Sequence, residues 1–249
     1  MNSRRSTLRV AAAQPEVTDL VSTVRAHARA VDACNADLVV FPELSLTGYH
    51  YDTLPFSLDT DAAALDAIVS ACARTDAVAV VGAPVTYRDG KAIAMLRVDT
   101  SGVSVAHIKS SLGAAENEHF IPGLGPSVID VGGWRIGLAI CKETGDDAHT
   151  RALADAGIDV YACGVVHHDH ELDEQERRAR SITTECGVAV VMASFAGSTG
   201  EGYSSTAGNS SIWSPDRRRL ACAGAGPGEF AVGDVSGCRT QIATRRRQD

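Results

Sequence analysis

Apolar residues recur along this chain in two alternating periods. Residues 8–13 form a short apolar run of strand type, and Val17, Leu20, Val21, Val24, Ala28 and Val31 then recur at helical spacing. Residues 37–41 are a second apolar run, short enough to be a strand buried on both faces. Leu65, Ile68, Val69 and Cys72 mark a second amphipathic helix, and a strand follows at 77–81. Runs 92–98 and 102–108 flank Asp99-Thr100-Ser101, and runs 127–131 and 134–140 flank Gly132-Gly133; each pair predicts a hairpin. A helix over 148–156, closed by Gly157, leads to a strand at 158–163, and a helix over 171–186 leads to a strand at 187–194. Residues 197–208 are rich in Gly and Ser and read as a long loop, with further strands at 210–213, 219–222 and 230–235. Parallel and hairpin-paired strands interleaved with helices, without a composition break or repeat, predict one α/β domain over 1–249. Residues 1–7 and about 241–249 are expected to be flexible ends.

Composition narrows the picture little. Hydrophobic residues are 45% and charged residues 22%, a globular balance. The net charge of -8 gives no general pull toward nucleic acid or anionic membrane, so neither partner is expected. The runs Arg177-Arg178, Arg217-Arg218-Arg219 and Arg245-Arg246-Arg247 are short, as on solvated faces or tails. Seven cysteines, at 34, 72, 141, 163, 186, 222 and 238, are odd in number and widely spaced, without a C-x-x-C pair. They predict reduced, mostly buried thiols rather than a disulfide framework. Neither a secretory signal nor a spanning segment is legible, and a cytoplasmic location is expected.

Three reactive residues each close a strand-like run. Glu43 follows 37–42, Lys109 follows 103–108, and Cys141 follows 134–140. In open α/β sheets the carboxyl ends of strands are where sites assemble. A thiol attacks as thiolate, a carboxylate raised in proton affinity by burial can take its proton, and a fixed cation can hold a developing oxyanion. The backbone N–H of Lys142 would be a second oxyanion donor. A Cys–His pairing stays open on these grounds alone: His107, His149, His167, His168 and His170 are present, but none has a recognisable relation to Cys141.

The stretch Phe41-Pro42-Glu43-Leu44-Ser45-Leu46-Thr47-Gly48-Tyr49 resembles the glutamate motif of the nitrilase superfamily, the carbon–nitrogen hydrolases. Lys109 through Glu116 to Phe120-Ile121-Pro122-Gly123 resembles its lysine region, and Gly137-Leu138-Ala139-Ile140-Cys141 its cysteine motif. Ala11-Ala12-Ala13-Gln14, Arg178-Ala179-Arg180, Gly208-Asn209-Ser210-Ser211-Ile212 and Pro215-Asp216 extend the resemblance over almost the whole chain. It implies a four-layer αββα sandwich that forms homodimers through helices. It also implies a triad of Glu43 as base and acid, Lys109 as stabilising cation and Cys141 as nucleophile. Glu116 matches a second glutamate that positions the lysine and substrate; Glu118 is the nearby competitor for that role. Tyr49, Glu118, His167 and His168 are candidate substrate contacts. The implied chemistry uses neither cofactor nor metal: a thioester forms on cysteine, the amine leaves, and water releases the acid. The expected activity is amidase-like (EC 3.5) on a small amide or N-carbamoyl compound rather than on a true nitrile. Alternatives are acyl transfer from the same thioester to an amine, or a non-catalytic binding protein on the same fold.

The chain also departs from the family pattern. Lys142-Glu143-Thr144-Gly145 stands where an aromatic residue and Asp commonly follow the cysteine, and Ser111 stands where a histidine commonly follows the lysine. Gly164-Val165-Val166-His167-His168 replaces a common Pro-Ser turn. The run His167-His168-Asp169-His170-Glu171 reads as a polar rim rather than a metal site, since adjacent histidines lack facing geometry. Residues 197–202 lack the ending of a phosphate loop. Arg177, Arg178 and Arg180 are able to pair with a substrate carboxylate, but a solvated or interfacial helix face is the simpler reading.

Overall fold

Two six-stranded mixed sheets face each other, each backed by helices, in the computed structural model, which describes residues 6–236. From edge to edge the first sheet runs β14 (Glu229–Ser236), β1 (Thr7–Gln14), β2 (Leu38–Val40), β3 (Val78–Tyr87), β4 (Gly90–Asp99) and β5 (Gly102–Ile108). The second runs β13 (Arg219–Cys222), β12 (Ser211–Trp213), β9 (Ala189–Ser194), β8 (Val160–Val165), β7 (Trp134–Ile140) and β6 (Ser127–Val131). In both sheets three parallel strands are flanked by antiparallel ones: β1, β2 and β3 in the first, β7, β8 and β9 in the second.

The near-continuous apolar runs are explained by burial on both faces. Leu8, Val10 and Ala12 of β1 point into the core between the sheets, while Ala11 and Ala13 face the outer helices. In β8, Val160 and Ala162 face inward, and Tyr161, Cys163 and Val165 face outward. Period-two alternation thus feeds two cores from the central strands of each sheet. Helices α1 (Leu20–Cys34) and α3 (Asp66–Thr75) cover the first sheet; α4 (Asp147–Asp155) and α5 (Leu172–Cys186) cover the second. The αββα sandwich expected from the resemblance is therefore observed. The Asp19 carboxylate caps α1 by accepting from Ser22 N–H at 3.0 Å, Asp146 caps α4, and Gly187 ends α5 at φ 65°.

Three boundaries differ from the sequence reading. The strand expected at 77–81 runs on to Tyr87 and forms its own hairpin with β4, despite containing Gly82 and Pro84. A short helix α2 (Leu58–Asp61) precedes α3. The expected loop 197–208 contains a small pair, β10 (Ala196–Gly197) with β11 (Thr206–Ala207). Of the expected flexible ends, residues 1–5 and 241–249 lie outside the described residues, but Thr7 already pairs with Ser236 in β1. The six described cysteines are all free. Among the described residues, no helix is long and apolar enough to cross a membrane.

Candidate active site

Glu43, Lys109 and Cys141 all lie just past the carboxyl ends of strands, β2 and β5 in the first sheet and β7 in the second. The sandwich brings these ends together. Glu43 sits on a tight turn whose next residue, Leu44, has φ 50°. Two glycines, one from each sheet, make room for that turn. A Cβ on Gly82 of β3 would collide with Pro42 O and Leu44 N, and one on Gly164 of β8 would meet Phe41 O at 2.5 Å and Glu43 N at 2.9 Å. Cys141 has φ 43°, the left-handed region that non-glycine residues seldom enter, and opens a 3-10 turn over Cys141–Gly145. That turn swings the thiol off the end of β7.

The charged core of the site is an ion-paired chain. Lys109 Nζ donates to Glu43 Oε1 at 2.6 Å and to Glu116 Oε1 at 2.6 Å. All three side chains are at most 3% exposed. Glu116 is pinned further by Tyr49 Oη on Oε1 at 2.5 Å and by Gly113 N–H on Oε2 at 2.5 Å. Glu43 Oε2, in contrast, accepts no hydrogen bond. The Cys141 thiol acts electrostatically on the Glu43 carboxyl and donates its hydrogen bond to Val166 O at 3.3 Å.

The electrostatics divide the two glutamates. Burial, only partly offset by Lys109 and reinforced by Glu116, pushes the Glu43 carboxyl up to about 7. Burial works to raise Glu116 as well, but Lys109, Tyr49 and Gly113 outweigh it and hold it below the usual carboxylate value. Lys109 is pushed up: its own burial opposes the charge, but Glu43, Cys141 and Glu116 outweigh that. Burial and the Glu43 charge push the Cys141 thiol up to about 12. The arrangement is one charged clamp, one carboxyl poised near neutrality, and a neutral thiol beside it.

The remaining sequence candidates are placed as follows. Tyr49 is in the cluster through Glu116. Its ring also packs edge-on against Tyr203, at 5.3 Å, and Tyr203 stacks on His168 at 4.3 Å. Glu118 is exposed and makes none of the cluster's bonds; Glu116 is the glutamate that reaches Lys109. His167 is buried with Nδ1 bonded to Gln175 Oε1 at 3.1 Å. The Lys142 side chain donates to Leu112 O at 2.6 Å, tying the residue whose N–H follows the thiol to the lysine segment. The arginines of α5 are engaged on the protein itself: Arg177 and Arg178 with Glu174, Arg178 with Thr144, and Arg180 with Glu176.

The sequence reading assigned no role to Glu143 or Tyr203, and named His107 only among the histidines open to pairing with Cys141. Glu143 and His107 form a buried pair, His107 Nε2 to Glu143 Oε2 at 2.8 Å, with His149 Nδ1 3.6 Å from the other oxygen. These are the described residues whose ligand-type atoms converge, within 4.8 Å. Glu143 also accepts from Ile140 N–H and from Ser110 N–H and O–H, while His149 Nδ1 has no hydrogen-bond partner. No spacing in the chain announces the contacts of Glu143 with His107 and Ser110, because they join segments 33 to 36 positions apart.

The order of the three motifs, the sandwich and the buried cluster agree with a family comparison: the model of the carbon-nitrogen hydrolases matches residues 9–243. The chain belongs to the carbon-nitrogen hydrolase family. Among relatives of this carbon-nitrogen hydrolase is a protein described as the hydrolase in the pqqF 5' region of Pseudomonas protegens. The two are 29% identical over 233 residues, 88% of this chain and 79% of that one. Among solved structures, Saccharomyces cerevisiae Nit3, a member of branch 10 of the nitrilase superfamily, superposes with TM-score 0.82 at 18% identity, covering 98% of both chains. An amidase of Nesterenkonia AN1 superposes with TM-score 0.80 at 21% identity, covering 93% of this chain and 92% of that one. A further structure of that amidase shows acrylamide added at its active-site cysteine (TM-score 0.79, 20% identity, 92% and 93% covered). The fold and the family of this carbon-nitrogen hydrolase are thereby fixed.

Proposed function

We propose that this carbon–nitrogen hydrolase cleaves the C–N bond of a small amide or N-carbamoyl compound through a thioester on Cys141. The observation that carries the reading is the buried Glu43 carboxyl, which interacts with Cys141 and has one oxygen held by Lys109 and the other unshared. Glu43 takes the Cys141 proton through Oε2, and the sulfur attacks the substrate's carbonyl carbon. Lys109 and the Lys142 backbone N–H hold the oxyanion that forms. Glu43, now protonated, gives the proton to the departing nitrogen, and the amine leaves. Water then enters, Glu43 takes its proton, and the acid is released with the thiol restored.

Glu116 and Tyr49 keep Lys109 in place during this cycle, and Tyr203 and His168 offer aromatic walls to the substrate. A homodimer through the helices and a small-molecule substrate complete the reading. A panel of amides, N-carbamoyl compounds and nitriles tests it. Turnover of amides or carbamoyl compounds ahead of nitriles is expected, and product release undiminished in Cys141→Ala would sink the mechanism.

A further inference from the structure

Glu143 lies two residues past the proposed nucleophile and is 0% exposed. Its carboxylate reaches both halves of the site. Oε2 accepts from the backbone N–H of Ile140, the residue before Cys141, at 2.7 Å, and from His107 Nε2 at 2.8 Å. Oε1 accepts from Ser110, the residue after Lys109, through its N–H at 2.7 Å and its hydroxyl at 2.7 Å. His107 is fixed in turn by Ser127 Oγ at 3.1 Å on Nδ1. One buried anion therefore joins the end of β7 in the second sheet to the end of β5 in the first.

We propose that Glu143 is a positioning residue that sets the Lys109 ammonium against the Cys141 turn. The proposal rests on the triad reading above. The other ties between these segments, Lys142 Nζ to Leu112 O and Ser111 Oγ to Asp146 Oδ2, involve half-buried or exposed groups whose bonds water can replace. Glu143 has no such substitute. Its partners include two backbone N–H groups, which cannot reverse their polarity. Only a carboxylate accepts on both oxygens; an amide of the same shape turns an N–H against one of these donors whichever way it flips. The lost bond would let the Ile140 or Ser110 backbone shift, and catalytic geometry tolerates little displacement.

The test compares wild type, Glu143→Gln and Ser110→Ala by kcat and KM on an amide substrate. It adds the pH profile of Cys141 alkylation by iodoacetamide and thermal melting. Lys109 lowers the proton affinity of both Glu43 and Cys141, whereas Glu116 raises both and Glu43 raises that of Cys141; the Cys141 charge in turn acts on Tyr203. Moving Lys109 away therefore shifts the alkylation midpoint to higher pH, a readout that needs no substrate. For Glu143→Gln the expectation is a kcat loss on the order of 10²-fold with KM changed by about threefold or less. A raised alkylation midpoint with a cooperative melt should accompany it. Ser110→Ala, which removes one of the four bonds, is expected to show the same changes at roughly a tenth of that size, and it decides the matter if Glu143→Gln does not fold. An unshifted alkylation profile with kcat within about threefold of wild type would overturn the proposal. So would a loss of activity that appears only with loss of the cooperative melt in both variants. Amide turnover surviving in Cys141→Ala would instead reject the triad; the alkylation profiles would still decide whether Glu143 positions Lys109.

Discussion

Lys109 Nζ and Glu43 Oε1 lie 2.6 Å apart, and both side chains are 1% exposed. A buried ion pair of this kind is costly to assemble and more costly to break. Lys109→Ala leaves Glu43 and Glu116 without their shared cation, so turnover should vanish and stability should fall by roughly 3–5 kcal/mol. Lys109→Arg should fold better yet fail in turnover, because a forked guanidinium does not fit where a compact ammonium bridges two carboxylates. Urea unfolding and product assays on both variants check this. A Lys109→Arg enzyme near wild-type activity contradicts the role given to the ammonium.

The pH dependence follows from Glu43. Its carboxyl is pushed up to about 7, chiefly by burial, and the proposed base is its deprotonated form. In the free enzyme kcat/KM should therefore fall about tenfold per pH unit below an apparent value near 7, which belongs to the coupled Glu43–Cys141 pair. Stability has the opposite sign for this group. Its folded value is raised above the ordinary one, so its contribution is full below about 4.5 and is lost as pH rises toward about 7. Glu143, held down to about 2 by His107 and Ser110 against its burial, contributes above about 4.5 and loses that contribution as pH falls toward about 2. An acid limb centred at the ordinary glutamate value would contradict the burial argument.

Gly164, which cradles the Glu43 turn, and Gly233 of β14, which lies away from it, give a contrast between substitutions. In Gly164→Ala the new Cβ meets backbone atoms Phe41 O at 2.5 Å and Glu43 N at 2.9 Å, so the turn must move. In Gly233→Ala the nearest atom is Ile212 Cδ1 at 3.5 Å, an ordinary contact. Gly164→Ala should lose activity by on the order of 10²-fold, and Gly233→Ala should stay close to wild type. Equal activities would remove the cradle from the account.

Tyr49→Phe deletes the hydroxyl that donates to Glu116 Oε1 at 2.5 Å. A hydrogen bond to a charged group is worth about 1.5–3 kcal/mol. Turnover should drop by roughly tenfold or more, with the fold retained by circular dichroism. Unchanged kinetics would leave Glu116 held by Lys109 and Gly113 alone.

Much of this was legible in the chain because two-sided burial writes strands as apolar runs, and the site residues stand where those runs stop. The β3–β4 hairpin was not, because Gly82 and Pro84 read locally as breakers. Gly82 is required there by the Glu43 turn pressed against it, a tertiary cause. The pairing of Glu116 rather than Glu118 with Lys109 followed the motif spacing. The Glu143–His107–Ser110 network left no periodic trace, since hydrogen bonds between the ends of two sheets depend on how those sheets pack.

Mass spectrometry of the enzyme quenched in acid during turnover of an amide tests the central claim most directly. The account predicts an adduct of the substrate's acyl mass on the peptide carrying Cys141, absent in Cys141→Ala and lost on incubation in water. Turnover by Cys141→Ala, or an acyl adduct mapped to another residue, would contradict it.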